Sequence, residues 1–172
     1  YSRAITAHIF EALYTYDHLA RPATPKPLIA DGMPVPSADF RTWTVKIKPG
    51  IYFQDDPVFR GQKREVTARD FVYTFQRIAD PANRSALWSW IETYALLGLA
   101  EQRKAALDGK KPFDYDAPIE GLQALDRYTI RVRFDQPYFG FRHWLTTVQF
   151  APVAREVVDR HKDASSRVAE HP

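Results

Sequence analysis

Residues 41–48 read Arg-Thr-Trp-Thr-Val-Lys-Ile-Lys, 49–50 Pro-Gly, 51–53 Ile-Tyr-Phe, and 66–81 Val-Thr-Ala-Arg-Asp-Phe-Val-Tyr-Thr-Phe-Gln-Arg-Ile-Ala-Asp-Pro. This stretch predicts a strand, a tight turn, a second short strand, a loop and a capped amphipathic helix. Trp43, Val45 and Ile47 alternate with Thr42, Thr44, Lys46 and Lys48, which makes one face apolar and the other wet. Pro49-Gly50 breaks the run where a turn is needed. Thr67 is placed to cap the helix, with Asp70 three residues on as a shortened capping box. Phe71, Phe75 and Ile78, flanked by Val72 and Ala79, form one apolar stripe at helical spacing. Asp80-Pro81 ends it, because the residue before proline is pushed out of the α region.

Outward from this centre the pattern weakens. Ala4 to Tyr14 is expected to be a helix, with Ile5, Ile9 and Leu13 in a stripe beside Phe10. Five prolines between Tyr16 and Ala38 forbid a long helix there and predict an extended connector, with one short strand near Leu28 to Ala30. Asp55 to Glu65 is polar and reads as an exposed loop. Ser85 to Leu107 is helical by pattern and broken near Gly98. Ile119 to Leu125 is an irregular strand, whereas Tyr128, Ile130, Val132 and Phe134 alternate cleanly with Thr129, Arg131 and Arg133. Asp126-Arg127 between the two suits a tight hairpin. Tyr138 to Thr146 and Val153 to Lys162 are short helices, the second opened by Pro152.

The bulk properties exclude several functions. The chain has 172 residues, enough for one domain with a core or for part of a larger one. An apolar fraction of 45% with 14% aromatics is globular rather than disordered. Net charge is +3 with both signs interspersed, which argues for solubility and against nucleic-acid binding. There is no cysteine, so disulfides, thiolate metal sites and thiol catalysis are out. No run of 18 apolar residues is present to span a membrane as a helix.

Candidate chemistry is sparse. His8, His18, His143, His161 and His171 are scattered, without the pair spacing that puts two metal ligands on one helix face. Asp55-Asp56 and Asp114-Tyr115-Asp116 lack the glycine and closing glutamate of a calcium loop and read as turn residues. No serine sits in a Gly-x-Ser-x-Gly setting, and no glycine-rich phosphate loop exists. The residues therefore offer no metal, cofactor or catalytic group. Trp88 and Trp90 can either join the core or face a ligand cleft.

Five segments in order resemble the bacterial extracellular solute-binding proteins of family 5, the oligopeptide- and dipeptide-binding type that serves ABC transporters. They are Ile9-Phe10-Glu11-Ala12-Leu13-Tyr14, Lys26-Pro27-Leu28-Ile29-Ala30-Asp31, Asp39 to Phe53, Val66 to Ile78, and Leu125 to Ile130 with Gln136-Pro137. Two departures stand out: Gln54-Asp55-Asp56 replaces the usual histidine-aspartate-glycine turn, and Pro57 to Glu65 is longer than common. The resemblance implies an α/β, or α+β-like, fold: a type II-like periplasmic binding protein, of which this is an N-terminal lobe fragment with its extra subdomain. Residues 1–10 and 152–172 would belong to the core of the first lobe and 11–151 to the extra subdomain, with the second lobe absent. The start on Tyr1 and the end on His171-Pro172 fit a piece of a longer protein.

By the same resemblance the protein is a non-catalytic substrate-binding component without a cofactor. Its partners would be a peptide or small-molecule solute and the permease subunits of an ABC importer. It would be a monomer exported to the periplasm, free or lipid-anchored. Tyr1, Ser2 and Arg3 fall near the peptide in the first lobe, and Leu87 and Trp88 where some members place a pocket-lining aromatic. The rival reading is a docking module without a ligand, which an exposed apolar patch around Trp88, Trp90 and Tyr138 to Trp144 would favour.

Overall fold

The computed structural model describes residues 9–161. Its centre is a four-stranded antiparallel sheet in the order β3-β4-β6-β5, where β3 is Val35–Pro36, β4 Thr42–Lys46, β5 Leu122–Ala124 and β6 Thr129–Arg133. The long β4·β6 ladder pairs Thr42 with Arg133, Trp43 with Val132 and Val45 with Ile130. Cross-strand partners thus put the apolar members of both alternations on one face. Trp43, Val45, Ile47, Ile130, Val132 and Phe134 are all buried.

The helix α1, Ala68–Ala79, lies across β5 and β6. Its stripe of Phe71, Phe75, Ile78 and Ala79 closes the core, and each large side chain so buried contributes about 1.5–3 kcal/mol. At its start the Thr67 N–H donates to Asp70 Oδ2 at 2.7 Å, as the spacing predicts. Asp80 ends it with extended backbone, φ −61° and ψ 117°. Beyond come α2 (Trp88–Thr93) and α3 (Leu99–Gly109), separated by Gly98 at φ +83°. After β6 follow α4 (Phe141–Trp144) and α5 (Arg155–His161).

Four expectations need correction. Glu11 to Tyr14, expected as the end of the first helix, is not helical, and Tyr14 to Tyr16 form strand β1, which pairs with β2, Pro25–Pro27. The proline-rich connector supplies that partner just upstream of the expected position at 28–30, and proline is tolerated because this two-stranded ribbon needs few ladder donors. The Tyr14 N–H donates to the Leu145 carbonyl at 3.0 Å, so a pairing across the whole chain overrides local helical spacing. Ile51 to Phe53 makes only the isolated bridge Tyr52↔Glu65. The loop from Asp55 to Glu65 is partly structured: Asp56 caps a 3-10 turn at Pro57–Phe59, and Arg64 turns inward. The expected residues Ala4 to His8 lie outside the described part.

Gly121 shows how tightly the sheet edge is joined to the segment before α3. A Cβ there would meet the Leu97 backbone, with the Leu97 carbonyl oxygen at 2.6 Å and that of Arg133 at 2.7 Å. Close backbone approach, not turn geometry, is what requires glycine at this position.

Candidate ligand-facing rim

The segment between α1 and α2 is fixed by side-chain bonds rather than by regular structure. Asp80 Oδ1 accepts the Ala82 N–H at 2.9 Å, capping the 3-10 turn Pro81–Asn83. Asp80 Oδ2 accepts the Tyr115 hydroxyl at 2.7 Å, and the Asn83 amide donates to the Arg77 carbonyl at 2.9 Å. Burial, reinforced by the Asp80 carboxylate, pushes the Tyr115 phenol far above its ordinary pKa, so it stays a donor. These bonds carry the chain through Arg84, left-handed at φ 47°, and deliver Ser85 to Leu87 at the start of α2.

Here the sequence candidates separate. Leu87 lines a mostly apolar cavity of about 280 Å³ together with Phe10, Ile78, Ser85, Val148 and Val153. Trp88, its neighbour, turns the other way into the core, and the Arg103 guanidinium sits 4.8 Å above its ring. That guanidinium also donates to the Ala79 carbonyl at 2.7 Å, locking α3 onto the end of α1. Of the expected aromatic patch, Trp88 and Trp144 are buried while Trp90 keeps 37% of its surface exposed. Tyr1, Ser2 and Arg3 lie outside the described residues.

The opposite wall of the cavity is the 3-10 turn Val148–Phe150, held against α1 by two contacts. The Thr74 hydroxyl lies 3.0 Å from the Ala151 carbonyl, and the Phe75 and Phe150 rings stack at 5.0 Å with an interplanar angle of 10°. Farther along, Arg64 ties the base of α1 to α5. Its guanidinium donates to Asp70 Oδ1 at 2.7 Å and to Glu156 Oε1 at 2.9 Å. Burial opposes the charge on Glu156, but the Arg64 contact outweighs it and lowers the Glu156 pKa.

A second hollow adjoins the first. Sequence reading grouped Trp90 with Tyr138 to Trp144 as a patch but missed Tyr16, which lies 127 positions from His143 and is joined to it only by the fold. The Tyr16 hydroxyl is 3.0 Å from His143 Nδ1, and the two rings stack with centroids 6.1 Å apart. Together with Trp90, Tyr138 and Trp144 they line an open bowl of about 640 Å³. Among the described residues no cluster of three or more His, Cys, Asp or Glu side chains could hold a metal ion. No helix among them is long and apolar enough to cross a membrane.

The architecture is that of the type II periplasmic binding proteins. The chain superimposes on OppA from Haemophilus influenzae, solved in complex with RPPGFSPFR, with a TM-score of 0.72 and 26% identity, covering 95% of this chain and 28% of that one. The Escherichia coli murein tripeptide binding protein MppA gives a TM-score of 0.66 at 25% identity, covering 95% of this chain and 28% of that one. The profile of the bacterial extracellular solute-binding proteins, family 5 Middle, matches residues 24–172, and the chain belongs to this family. Among curated relatives, the periplasmic oligopeptide-binding protein OppA of Salmonella typhimurium is 28% identical over 159 residues, covering 92% of this chain and 26% of the relative. The periplasmic murein peptide-binding protein MppA of Escherichia coli is 30% identical over 127 residues, covering 74% and 21%. The chain therefore spans about a quarter of the length of the curated relatives it matches.

Proposed function

We propose that this chain is part of the substrate-binding component of an ABC importer, which captures peptides or similar small solutes in the periplasm. The observation that carries this reading is the superposition on OppA, a family relative solved with a peptide, over 95% of the chain. The rim cavity beside Leu87 supports it, because it is apolar and bounded by a loop that side-chain bonds hold in place. The mechanism is closure of two lobes around the solute, with the closed form docking on the permease. The component acts without catalysis, as a monomer, either free or lipid-anchored.

In this reading residues 11–151 form the extra subdomain of the first lobe, while 1–10 and 152–172 return to that lobe's core. Leu87 contacts the solute, Trp88 stiffens the loop from behind, and Tyr1 to Arg3 stand near the peptide main chain. The main chain of a peptide is held by strand-like hydrogen bonds, which tolerate many side chains.

The test is native purification of the full-length protein followed by mass spectrometry of what it releases on unfolding. Short peptides are expected. A protein that carries no small molecule, and that takes up none from a mixture of tri- to pentapeptides, overturns the reading.

A further inference from the structure

We propose that the bowl beside the Leu87 cavity is a subsite for an aromatic side chain of the solute, so that the protein prefers peptides carrying one. This rests on the peptide-binding reading above and deepens it by naming the side-chain class.

Position comes first. Val148 and Gln149 line both hollows, so one 3-10 turn forms their common wall. Leu87 and Trp90 are three residues apart at the start of α2, neighbours on one face, and each enters one of the two hollows. A solute side chain that reaches past Leu87 meets Trp90 next.

The chemistry of the lining selects the class. The bowl contains no Asp, Glu, Lys or Arg, and its one ionisable cationic candidate, His143, is engaged by the Tyr16 hydroxyl at 3.0 Å. An acidic side chain finds no ammonium or guanidinium there, and a basic one finds no carboxylate. What the bowl offers is ring surface. Trp90 rests on Trp144 with centroids at 5.7 Å, and Tyr138 meets Trp144 at 5.4 Å. Trp90 nevertheless leaves 37% of its surface uncovered, and Tyr16 leaves 38%. Ring pairs at offset or tilted geometry gain about 0.5–1.5 kcal/mol beyond simple burial. A third ring added to this set has partners already held in place by buried neighbours.

The experiment is calorimetric titration of the full-length protein with trialanine peptides in which each position in turn is replaced by Phe, Leu or Lys. Wild type, Trp90→Ala and His143→Ala are compared, with thermal unfolding as the folding control. Trp90→Leu, which keeps an apolar contact to Trp144 and Phe150, serves if the alanine variant does not fold. At one position Phe is expected to bind about fivefold to tenfold more tightly than Leu. Trp90→Ala is expected to remove that preference while the Leu and Lys peptides shift less than about twofold. Peptide binding with no Phe preference at any position overturns this inference and leaves the parent reading standing. A Phe preference that survives the Trp90 substitution also overturns it. So does unchanged affinity with a lowered melting temperature, which means another part of the protein covers the bowl. Absence of binding to every peptide overturns this inference, and together with a blank native purification it overturns the parent reading as well.

Discussion

Two regions of this molecule are built on different principles. The sheet with α1 is held by a continuous backbone ladder and one buried stripe, so each strand position has a partner fixed by period. The rim, from Pro81 to Leu97 and from Tyr138 to Ala151, has helices of only four and six residues, joined by 3-10 turns and left-handed residues such as Arg84 and Ala95. It is held by side chains: Asp80, Asn83 and Tyr115 on one side, and ring contacts around Trp144 on the other. A ladder averages its information over many residues, whereas a rim held by single contacts can change its lining without unfolding the scaffold. In the proposed reading, solute recognition falls to the rim and stability to the sheet.

The comparison breaks most sharply at the scaffold. Phe71→Ala leaves a void under the sheet and is expected to lower unfolding free energy by about 3–5 kcal/mol, read from urea denaturation. Arg64→Ala is expected to approach that loss, about 3–5 kcal/mol, because Asp70 is left buried without its guanidinium partner. Arg155→Ala, whose pair with Asp116 is on the surface, is expected to change stability by less than about 1 kcal/mol, although its ion pair is equally short. A Gly121→Ala change forces the edge of β5 away from Leu97 and is expected to cost about 1–3 kcal/mol.

Acid sharpens the same contrast. Glu65 accepts the Gly50 N–H, with Arg127 and Tyr128 as further partners, and these hold its pKa down at about 2. A carboxylate with a depressed folded pKa stabilises fully above its unfolded value of 4.5, and that contribution disappears as pH falls toward 2. Glu65→Gln is therefore expected to flatten the stability profile between about pH 4.5 and 2, as followed by thermal melts. On the rim, Leu87→Ala is expected to shift unfolding by about 1 kcal/mol or less while weakening solute binding severalfold by calorimetry.

How much of this was written in the sequence follows the same division. The alternations around Trp43 and Ile130, the capping pair Thr67 and Asp70, the stop at Asp80-Pro81 and the break at Gly98 are local signals, and the structure keeps all of them. Tyr14 to Tyr16 misleads because its strand character comes from Pro25–Pro27 and from Leu145, far away in sequence. Arg64 lies in a polar stretch, yet Asp70 six residues on and Glu156, 92 positions away and beyond any sequence window, draw it inward. At the rim, the aromatic reading offered Trp88, and the family resemblance pointed to Leu87 and Trp88 together. Nothing local distinguishes the two, and geometry alone brings Leu87 to the cavity and Trp88 to the core. The Tyr16 and His143 pair has no sequence signature.

The most direct measurement is amide hydrogen exchange on the full-length protein with and without a bound peptide. Protection is expected to rise at residues 85–91 and 146–150, with β4 and β6 unchanged. A bound peptide that leaves both rim segments exchanging as before, or that protects only the sheet, contradicts the account.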